Sequence, residues 1–342
     1  MARAMAKGRL KRLVIIIIVS TATGMLTGMT SPVFLAIALT LTAIALATGL
    51  WNTTPVGFRP SPAYTKPPSD RLRWPEAAPI EPSGKNRRLI LCVHGFPSTP
   101  ADFRKLIDVS DARGWDIAAP LLPGCGTDPR DLLPTEWSQY LAMVRDWWIR
   151  LRPKYDSACI VGISMGGALT LALSEEMCGI KELEPAAIST IGAPAVLNSW
   201  YRHGLVKDPL LYLARFLAPI VPSMNARPYE PEPDAEDGGG SWKGYEGTFT
   251  RQAYTLQVGM GDTERNLSRV TCPILVCHGR GDRIVDFRNS GIIMAGVGSG
   301  DIEAYIANMD EFDHNRHNIL LYDSQRDRLW NHILDFFEKR VP

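Results

Sequence analysis

The sequence has little net charge, few cysteines and no internal repeat. Its 342 residues include 37 Lys and Arg against 36 Asp and Glu, a formal charge of +1. Because the numbers of basic and acidic residues are nearly equal, the sequence does not indicate a basic surface for binding nucleic acid. Six cysteines are too few for a small scaffold held together by disulfides. With 45% apolar and 21% charged residues, the composition excludes collagen and disordered chains and indicates a globular protein.

Charge is also missing from one long stretch near the N-terminus, residues 13–58. It holds two apolar blocks, 13–29 and 33–51, and every charged side chain that precedes it is basic. We therefore expect this stretch to insert into a lipid bilayer. Three interpretations stay open: a signal peptide with a cleavage site at Ala45-Leu46-Ala47, a single anchor with the folded body outside, or a helical hairpin turning at 30–32. Because Lys and Arg flank both ends, the positive-inside tendency favours the hairpin, with the body on the cytoplasmic side of an inner or cytoplasmic membrane.

Composition divides the chain into three parts. Residues 1–51 are the basic N-terminus with a transmembrane helix or helical hairpin. Residues 52–87, rich in Pro, Ser, Thr and charge, are interpreted as an extended tether. Residues 88–342 form the folded domain.

Short apolar runs alternate with segments of helical spacing throughout this domain. The alternation predicts a mainly parallel sheet with helices on both faces. Strands are expected at residues 88–94, 115–122, 157–163, 186–191, 272–278 and 302–308. Helices are expected at residues 99–113, after a Thr135 cap, and at 168–177 and 323–340. The rhythm breaks at about 195–265, which is interpreted as a helical cap inserted over the sheet.

One motif in this domain points to chemistry. Gly162-Ile163-Ser164-Met165-Gly166-Gly167 follows a predicted strand and opens a predicted helix. A sharp strand-to-helix turn of this kind exposes a serine hydroxyl, and its glycines leave room for neighbouring backbone. The helix N-terminus adds positive potential for an anion. We therefore expect Ser164 to be a nucleophile.

A serine hydroxyl needs a base, and the base needs an orienting acid. Where a serine follows a strand in this way, the acid and then the histidine come later in the chain. Asp282, at the carboxyl end of a predicted strand, is the expected acid, and Asp286 is the alternative. His314 and His317 compete as the base, and His317 is favoured because an apolar run and the last helix follow it.

A tetrahedral intermediate also needs hydrogen-bond donors for its oxyanion. The backbone N–H of Met165, directly after Ser164, is one candidate. The second is the backbone N–H of Phe96, in the His94-Gly95-Phe96-Pro97 loop after the first predicted strand.

These motifs resemble those of α/β-hydrolases, in particular the carboxylesterase and monoacylglycerol lipase group. The resemblance lies in residues 91–100, 120–126, 161–167, 273–285 and 316–323. It extends over about residues 88–340, is weakest in the insertion and does not include residues 1–87. It is the main reason for choosing His317 over His314.

The resemblance implies an α/β-hydrolase fold with Ser164 as nucleophile, Asp282 as acid and His317 as base. It also implies Phe96 and Met165 as oxyanion donors, with no metal and no organic cofactor. The expected activity is hydrolysis of a small apolar or lipid-derived ester through an acyl-enzyme on Ser164, by a protein tethered to the bilayer.

Two other interpretations remain open. A thioesterase, lactonase or amidase would use the same three residues, and an inactive hydrolase fold could act as a scaffold. Cys92, Cys159 and Cys277 lie inside predicted strands and are expected to be buried free thiols, which fits a cytoplasmic domain.

Overall fold

The computed structural model describes residues 71–197, 221–231, 241–309 and 317–341, with isolated positions at 40, 214, 215, 218, 237 and 238. The chain divides into two units, Met1–Arg59 and Pro60–Pro342, and the elements given below belong to the second. Apart from Thr40, the predicted membrane segment at 1–51 lies outside the described residues. Within those that are described, no helix is both long enough and apolar enough to cross a bilayer.

Six strands form the central sheet: β1 (Arg88–Val93), β2 (Trp115–Ala118), β3 (Ser157–Ile163), β4 (Ile188–Ile191), β7 (Ile274–Arg280) and β8 (Ile302–Asn308). Their order across the sheet is β2-β1-β3-β4-β7-β8. Every pairing in this sheet is parallel, which confirms the prediction. The carboxyl ends of β1, β3, β4 and β7 therefore lie along one edge of the sheet.

Alternate residues of each strand pack on opposite faces of the sheet. In β1, Leu89 and Leu91 belong to one apolar cluster, and Ile90 and Cys92 belong to the other. A strand buried on both faces needs a continuous apolar run, which is the pattern seen in the sequence. The sheet is thus the middle layer of three.

Helices cover both faces and connect the strands. They are α1 (Ala101–Arg104), α2 (Ile107–Ala112), α3 (Pro129–Leu132), α4 (Trp137–Leu151), α5 (Met165–Met177), α6 (Thr250–Asn266), α7 (Arg288–Gly296) and α8 (Asp323–Glu338). On one face, α8 buries apolar side chains that include Trp330 and Phe337. On the other face, α4 and α5 pack in the apolar cluster that contains Leu89 and Leu91. This arrangement confirms helices on both sides of the sheet.

Two helix boundaries differ from the prediction. The helix expected at 99–113 is split into α1 and α2, with a tight turn in which the Leu106 N–H donates to the Phe103 carbonyl at 3.0 Å. The residue that caps α4 is Glu136 rather than Thr135, because Glu136 and Gln139 form a reciprocal capping box. The Thr135 hydroxyl instead donates to the Leu132 carbonyl.

The described part of the insertion is only partly helical. An antiparallel pair, β5 (Ser223–Pro228) and β6 (Tyr245–Phe249), precedes α6. The helix expected from the apolar spacing at 200–217 lies almost wholly outside the described residues. The sequence analysis missed the two strands, because both are short and border the Pro- and Gly-rich stretch 228–247.

Residues 71–87, which the sequence assigned to the tether, contact the sheet in the structure. Ile80 forms an antiparallel bridge with Ala119, just beyond β2. The Ser83 hydroxyl and the Gly84 N–H both donate to the Asp116 carboxylate at 2.6 Å. The part of the tether next to the domain is therefore held to it by backbone and side-chain bonds.

Candidate active site

Ser164 forms the turn between β3 and α5, at the carboxyl edge of the sheet. Its backbone has φ 54° and ψ −123°, a region that costs free energy for any residue with a side chain. The turn is held from the neighbouring strand, since the Ser164 N–H donates to the Ile191 carbonyl at 2.8 Å. The strained serine is thus fixed by the sheet itself.

The glycines on either side of this turn are required by packing. A β-carbon at Gly162 would lie 2.2 Å from the Gly166 carbonyl oxygen. A β-carbon at Gly166 would lie 2.0 Å from the Val93 carbonyl oxygen, at the end of β1. Both distances are far inside van der Waals contact and involve backbone atoms, which cannot turn away. The motif's glycines let β1, β3 and α5 meet at Ser164.

The two expected oxyanion donors lie next to this serine. Met165 is the first residue of α5, and the first amides of a helix have no acceptor within the helix. The loop that carries Phe96 also approaches closely, because a β-carbon at Gly95 would lie 3.1 Å from the Ser164 Cβ. The structure therefore brings the Phe96 loop and the start of α5 to Ser164, as expected from the sequence.

His94 anchors the Phe96 loop to the sheet. Its buried ring accepts a hydrogen bond at Nε2 from the Leu122 N–H at 3.0 Å, and Nδ1 lies 2.8 Å from the Gly95 carbonyl oxygen. An Nε2 that accepts requires the neutral ring with its proton on Nδ1. Burial lowers the pKa of His94 to about 4, so the ring stays neutral and holds the loop. The sequence alone did not reveal this role.

Asp282 and His317 are joined directly. The Asp282 Oδ2 lies 2.7 Å from the His317 Nδ1, although the two residues are 35 positions apart. The Asp282 side chain is fully buried, and that of His317 is 12% exposed. An ionised carboxylate only accepts, so the His317 proton is held on Nδ1 and the lone pair of the neutral ring is on Nε2.

A second histidine contacts the same carboxylate, and sequence reasoning missed it. His278, which no sequence motif marked as part of the site, lies in β7 with its Nε2 3.3 Å from the Asp282 Oδ2 and 3.1 Å from the Val285 carbonyl oxygen. The other oxygen, Oδ1, accepts from the Ile284 and Val285 amides at 2.8 and 2.9 Å. The spacing of His278 and Asp282 across a strand end was the available signal.

These contacts keep Asp282 ionised. Burial acts to raise its pKa, but the electrostatic attraction of His317 and the hydrogen bonds from both histidines and the Val285 amide outweigh burial. The resulting pKa is about 2. A carboxylate that stays charged at neutral pH can orient His317 and stabilise its protonated form.

His317 packs on the strand end that holds Ser164. A β-carbon at Gly192 would lie 3.2 Å from the His317 Cε1 and 3.3 Å from its Nδ1. Gly192 directly follows Ile191, whose carbonyl accepts from the Ser164 amide. The serine and the histidine therefore flank the same two residues at the end of β4.

The alternative residues fall elsewhere. The Asp286 carboxylate accepts hydrogen bonds from the Arg288 backbone N–H and guanidinium, each at 2.9 Å, and so bonds the first residue of α7. His314 lies outside the described residues. The pairing seen in the structure is thus the one expected from the sequence, Asp282 with His317.

The insertion touches the Phe96 loop through aromatic rings. The Phe96 ring lies edge-on to Phe249 of β6, with centroids 5.7 Å apart, and also contacts Tyr140 of α4. Phe249 and Tyr245 are almost fully buried. Both rings thus belong to the packed junction between insertion and sheet.

No side chains among the described ranges offer an evident metal site, and the cysteines there are unpaired. No group of three or more His, Cys, Asp or Glu residues is placed to hold a metal ion in these ranges. All six cysteines are free thiols, and Cys92, Cys159 and Cys277 are buried as predicted. The side chains that the structure places at the edge are a hydroxyl, an imidazole and a carboxylate, with backbone amides beside them.

Comparison with known proteins agrees with this geometry. The sequence matches the family described as the alpha/beta hydrolase family over residues 90–330. It is 28% identical over 255 residues to a thermostable monoacylglycerol lipase of Bacillus sp. (strain H-257), covering 74% of this chain and 91% of that protein. It is 26% identical over 256 residues to a carboxylesterase of Bacillus subtilis (strain 168), covering 74% and 93%.

Solved structures give the same result. A structure reported for LipS and LipT, two metagenome-derived lipolytic enzymes, superimposes with a TM-score of 0.64 at 25% identity. The match covers 78% of this chain and 98% of that one. The family match, over residues 90–330, includes the positions of the six strands from β1 to β8 and of Ser164, Asp282 and His317, apart from the first two residues of β1.

Proposed function

The chain belongs to the alpha/beta-hydrolase family, and on this basis we propose that it is a membrane-tethered serine hydrolase that cleaves carboxylic esters through an acyl-enzyme on Ser164. The observation that carries the proposal is the meeting of three groups at one sheet edge. Ser164 occupies the strained turn after β3, and the His317–Asp282 pair at 2.7 Å packs on the strand end that holds it. A serine nucleophile needs a base and an orienting acid, and both lie at the strand end that holds Ser164.

Acylation follows from the positions of these groups. The Ser164 Oγ attacks the ester carbonyl carbon while its proton passes to the His317 Nε2. Asp282, ionised and fixed by four contacts, stabilises the imidazolium that forms. The Met165 and Phe96 amides donate to the oxyanion, with the dipole of α5 behind them.

Acylation ends when the tetrahedral intermediate collapses: the C–O bond to the alcohol breaks, and the alcohol leaves with the proton from His317. Deacylation repeats the same transfers with water. Water then attacks the acyl carbon, gives its proton to His317 and displaces Ser164, which regains that proton. The products are a carboxylic acid and free enzyme, so no cofactor is needed to balance the reaction.

The substrate class rests on the relatives. Two are named as a monoacylglycerol lipase and a carboxylesterase, and both are matched over more than nine-tenths of their length. We take the substrate to be a small apolar or lipid-derived ester.

The membrane tether is argued from charge. Basic residues flank the uncharged stretch 13–58 on both sides, and the positive-inside tendency then favours a hairpin with a cytoplasmic domain. Alkaline extraction of membranes containing the full chain is expected to leave it in the pellet, and protease added to intact spheroplasts is expected to leave the domain uncut. Release by alkali would contradict the tether, and cleavage in intact spheroplasts would contradict the sidedness.

Two experiments test the catalytic proposal. Ser164→Ala is expected to lower turnover of p-nitrophenyl acyl esters by about 10⁴–10⁶-fold. A fluorophosphonate probe is expected to label Ser164 in the unmodified chain, located by peptide mass. Ser268→Ala, at an exposed serine away from the edge, is the matched control and is expected to keep full activity and labelling.

The outcomes separate the alternatives. Unchanged turnover in Ser164→Ala would refute the serine mechanism. No adduct on folded, unmodified protein would favour a scaffold. Efficient labelling with turnover of thioesters or lactones in place of oxygen esters would keep the mechanism and change the scissile bond.

A further inference from the structure

A short segment of the insertion is bonded to the loop that carries the Phe96 amide. The segment is residues 242–245, which we call the clamp, and the loop is residues 95–99. The Tyr245 N–H donates to the Pro97 carbonyl at 3.1 Å, and the Thr99 hydroxyl donates to the Lys243 carbonyl at 2.9 Å. Between these two bonds, the Trp242 indole N–H donates to the Ser98 Oγ at 2.8 Å.

The packing at this junction is close. A β-carbon at Gly244 would lie 2.4 Å from the Trp242 ring and 2.7 Å from the Pro97 carbonyl oxygen. The Trp242 ring is also held from its other side by Tyr229, with centroids 5.2 Å apart. The clamp thus meets the loop with its backbone as well as its side chains.

The hydrogen bonds continue inward in one direction. An indole N–H only donates, so Ser98 must accept from Trp242 and turn its own proton to the Asp102 Oδ2, 2.8 Å away. Ser98 and Asp102 are both more than nine-tenths buried. The Ser98 N–H also donates to the Gly95 carbonyl at 3.0 Å, which closes the turn around Phe96.

Asp102 lies next to the segment that carries His317. The side chain of the next residue, Asn318, is near enough to the Asp102 carboxyl to act against the rise in its pKa. The Asn318 Oδ1 accepts from the Leu320 N–H at 3.2 Å. One buried carboxyl is therefore bonded to the Phe96 loop and lies beside the residue after His317.

From this network we propose that the clamp sets the position of the Phe96 amide, with Trp242, Ser98 and Asp102 as positioning residues that act through the loop. The inference rests on the proposed function, since it assigns these residues to the oxyanion donor of that reaction. It makes the insertion part of the catalytic geometry as well as a cover for the substrate. A displaced donor would weaken transition-state binding more than substrate binding.

The test uses the full chain and a matched pair of hydrogen bonds. Trp242→Phe and Ser98→Ala each remove the Trp242–Ser98 bond. Trp330→Phe and Ser110→Ala remove the same kind of bond, from the Trp330 N–H to the Ser110 Oγ at 2.9 Å, between α8 and α2. The measurements are kcat, KM, melting temperature and the rate of fluorophosphonate labelling.

We expect Trp242→Phe and Ser98→Ala to lower kcat and the labelling rate by about 10-fold to 10²-fold, with KM changed less than about twofold. The two control variants are expected to lose comparable melting temperature and to keep kcat. Asp102→Asn, which still accepts from Ser98, is expected to keep kcat within about threefold, whereas Asp102→Ala is expected to behave like Ser98→Ala.

Three outcomes would overturn the proposal that the clamp positions the Phe96 amide. They are an unchanged kcat in both clamp variants, an effect confined to KM, and an equal loss of kcat in the control variants. If Trp242→Phe or Ser98→Ala fails to fold, Thr99→Val removes the neighbouring bond and is held to the same expectation. Labelled Ser164 with unchanged kcat in these variants rejects the clamp alone. An unlabelled Ser164 in the unmodified chain rejects the proposed function instead.

Discussion

The sheet edge and the insertion position their residues in different ways. At the edge, Ser164, Gly192 and Asp282 follow strands whose pairing is continuous, so the backbone ladder fixes where each one lies. In the insertion, β5 and β6 pair only with each other and show a register shift between Met224 and Arg227. Its clamp is placed by individual bonds to the Phe96 loop.

This difference predicts different responses to substitution. A change at the edge acts on backbone shared by several strands, so it should abolish function or folding. A change in the insertion removes one bond among several, so its effect should be graded.

The largest effect is expected at the edge carboxylate. Asp282→Asn should lower kcat by about 10⁴-fold, because an amide that replaces the carboxylate cannot stabilise protonated His317 and can stabilise the wrong tautomer. Steady-state kinetics with p-nitrophenyl esters measures this loss.

Asp286→Asn is the matched control for that variant. Asp286 bonds Arg288 at the start of α7, so its loss should cost some stability and leave kcat within about twofold. Equal losses in the two variants would show that the acid has been assigned to the wrong residue.

The next effect compares two glycines. Gly166→Ala should lower the free energy of unfolding by more than about 4 kcal/mol, because its β-carbon would overlap the backbone of β1. In β6, Gly247 has φ +109°, and a β-carbon there would lie 2.7 Å from the Asn225 carbonyl oxygen. Gly247 is exposed, however, and the β5–β6 pair can shift to relieve this contact. We expect Gly247→Ala to cost about 1–2 kcal/mol in urea unfolding. A reversed order would contradict the proposed difference between the regions.

The parallel sheet and the chemistry of its edge could be predicted from the sequence because both are local signals. Each strand is a short apolar run, and Gly162 to Gly166 can be read within one pentapeptide. The choice of His317 over His314 rested mainly on the resemblance to a family, since the apolar run and the helix that follow His317 favoured it only by position. The structure then placed that histidine on Gly192.

The contacts that the sequence did not reveal are contacts between distant segments. His278 looks like a strand-end residue until the turn after β7 folds the Asp282 carboxylate back onto its ring. Ser98 and Trp242 are 144 positions apart, and no periodic pattern links them. The strands β5 and β6 were missed for a related reason, because both are short, border the Pro- and Gly-rich stretch 228–247 and pair only with each other.

Two buried carboxyls should give opposite dependence of stability on pH. At the edge, Asp282 has a pKa lowered to about 2, so its contribution is complete above pH 4 and is lost as the pH falls through about 2. Beneath the clamp, burial raises the pKa of Asp102 to about 7, against its hydrogen bond from Ser98 and the opposing effect of the Asn318 side chain. Its protonated form is favoured by folding, so stability falls as the pH rises from about 4 through about 7.

Urea unfolding of the full chain between pH 2 and 8 measures both effects. Asp102→Asn should flatten the decline between pH 5 and 8, which we expect to amount to about 3 kcal/mol. Asp282→Asn should flatten the slope between pH 2 and 4 and leave the higher range unchanged. A decline above pH 5 that persists in Asp102→Asn would assign it to a different group.

The smallest effect separates the regions by their ion pairs. In the three-layer body, Arg145 of α4 bonds both carboxylate oxygens of Glu176 at 2.6 and 2.5 Å, and each side chain is 35% exposed. In the insertion, Arg227 reaches one oxygen of Glu246 at 2.7 Å, with its own side chain 72% exposed. Because two-point contact and partial burial both strengthen an ion pair, double-mutant cycles to Ala should give about 0.5 kcal/mol for the first pair and no detectable coupling for the second. A stronger coupling in the exposed pair would mean that the hairpin is held as rigidly as the sheet, and the contrast between the two regions would no longer explain the graded effects expected in the insertion.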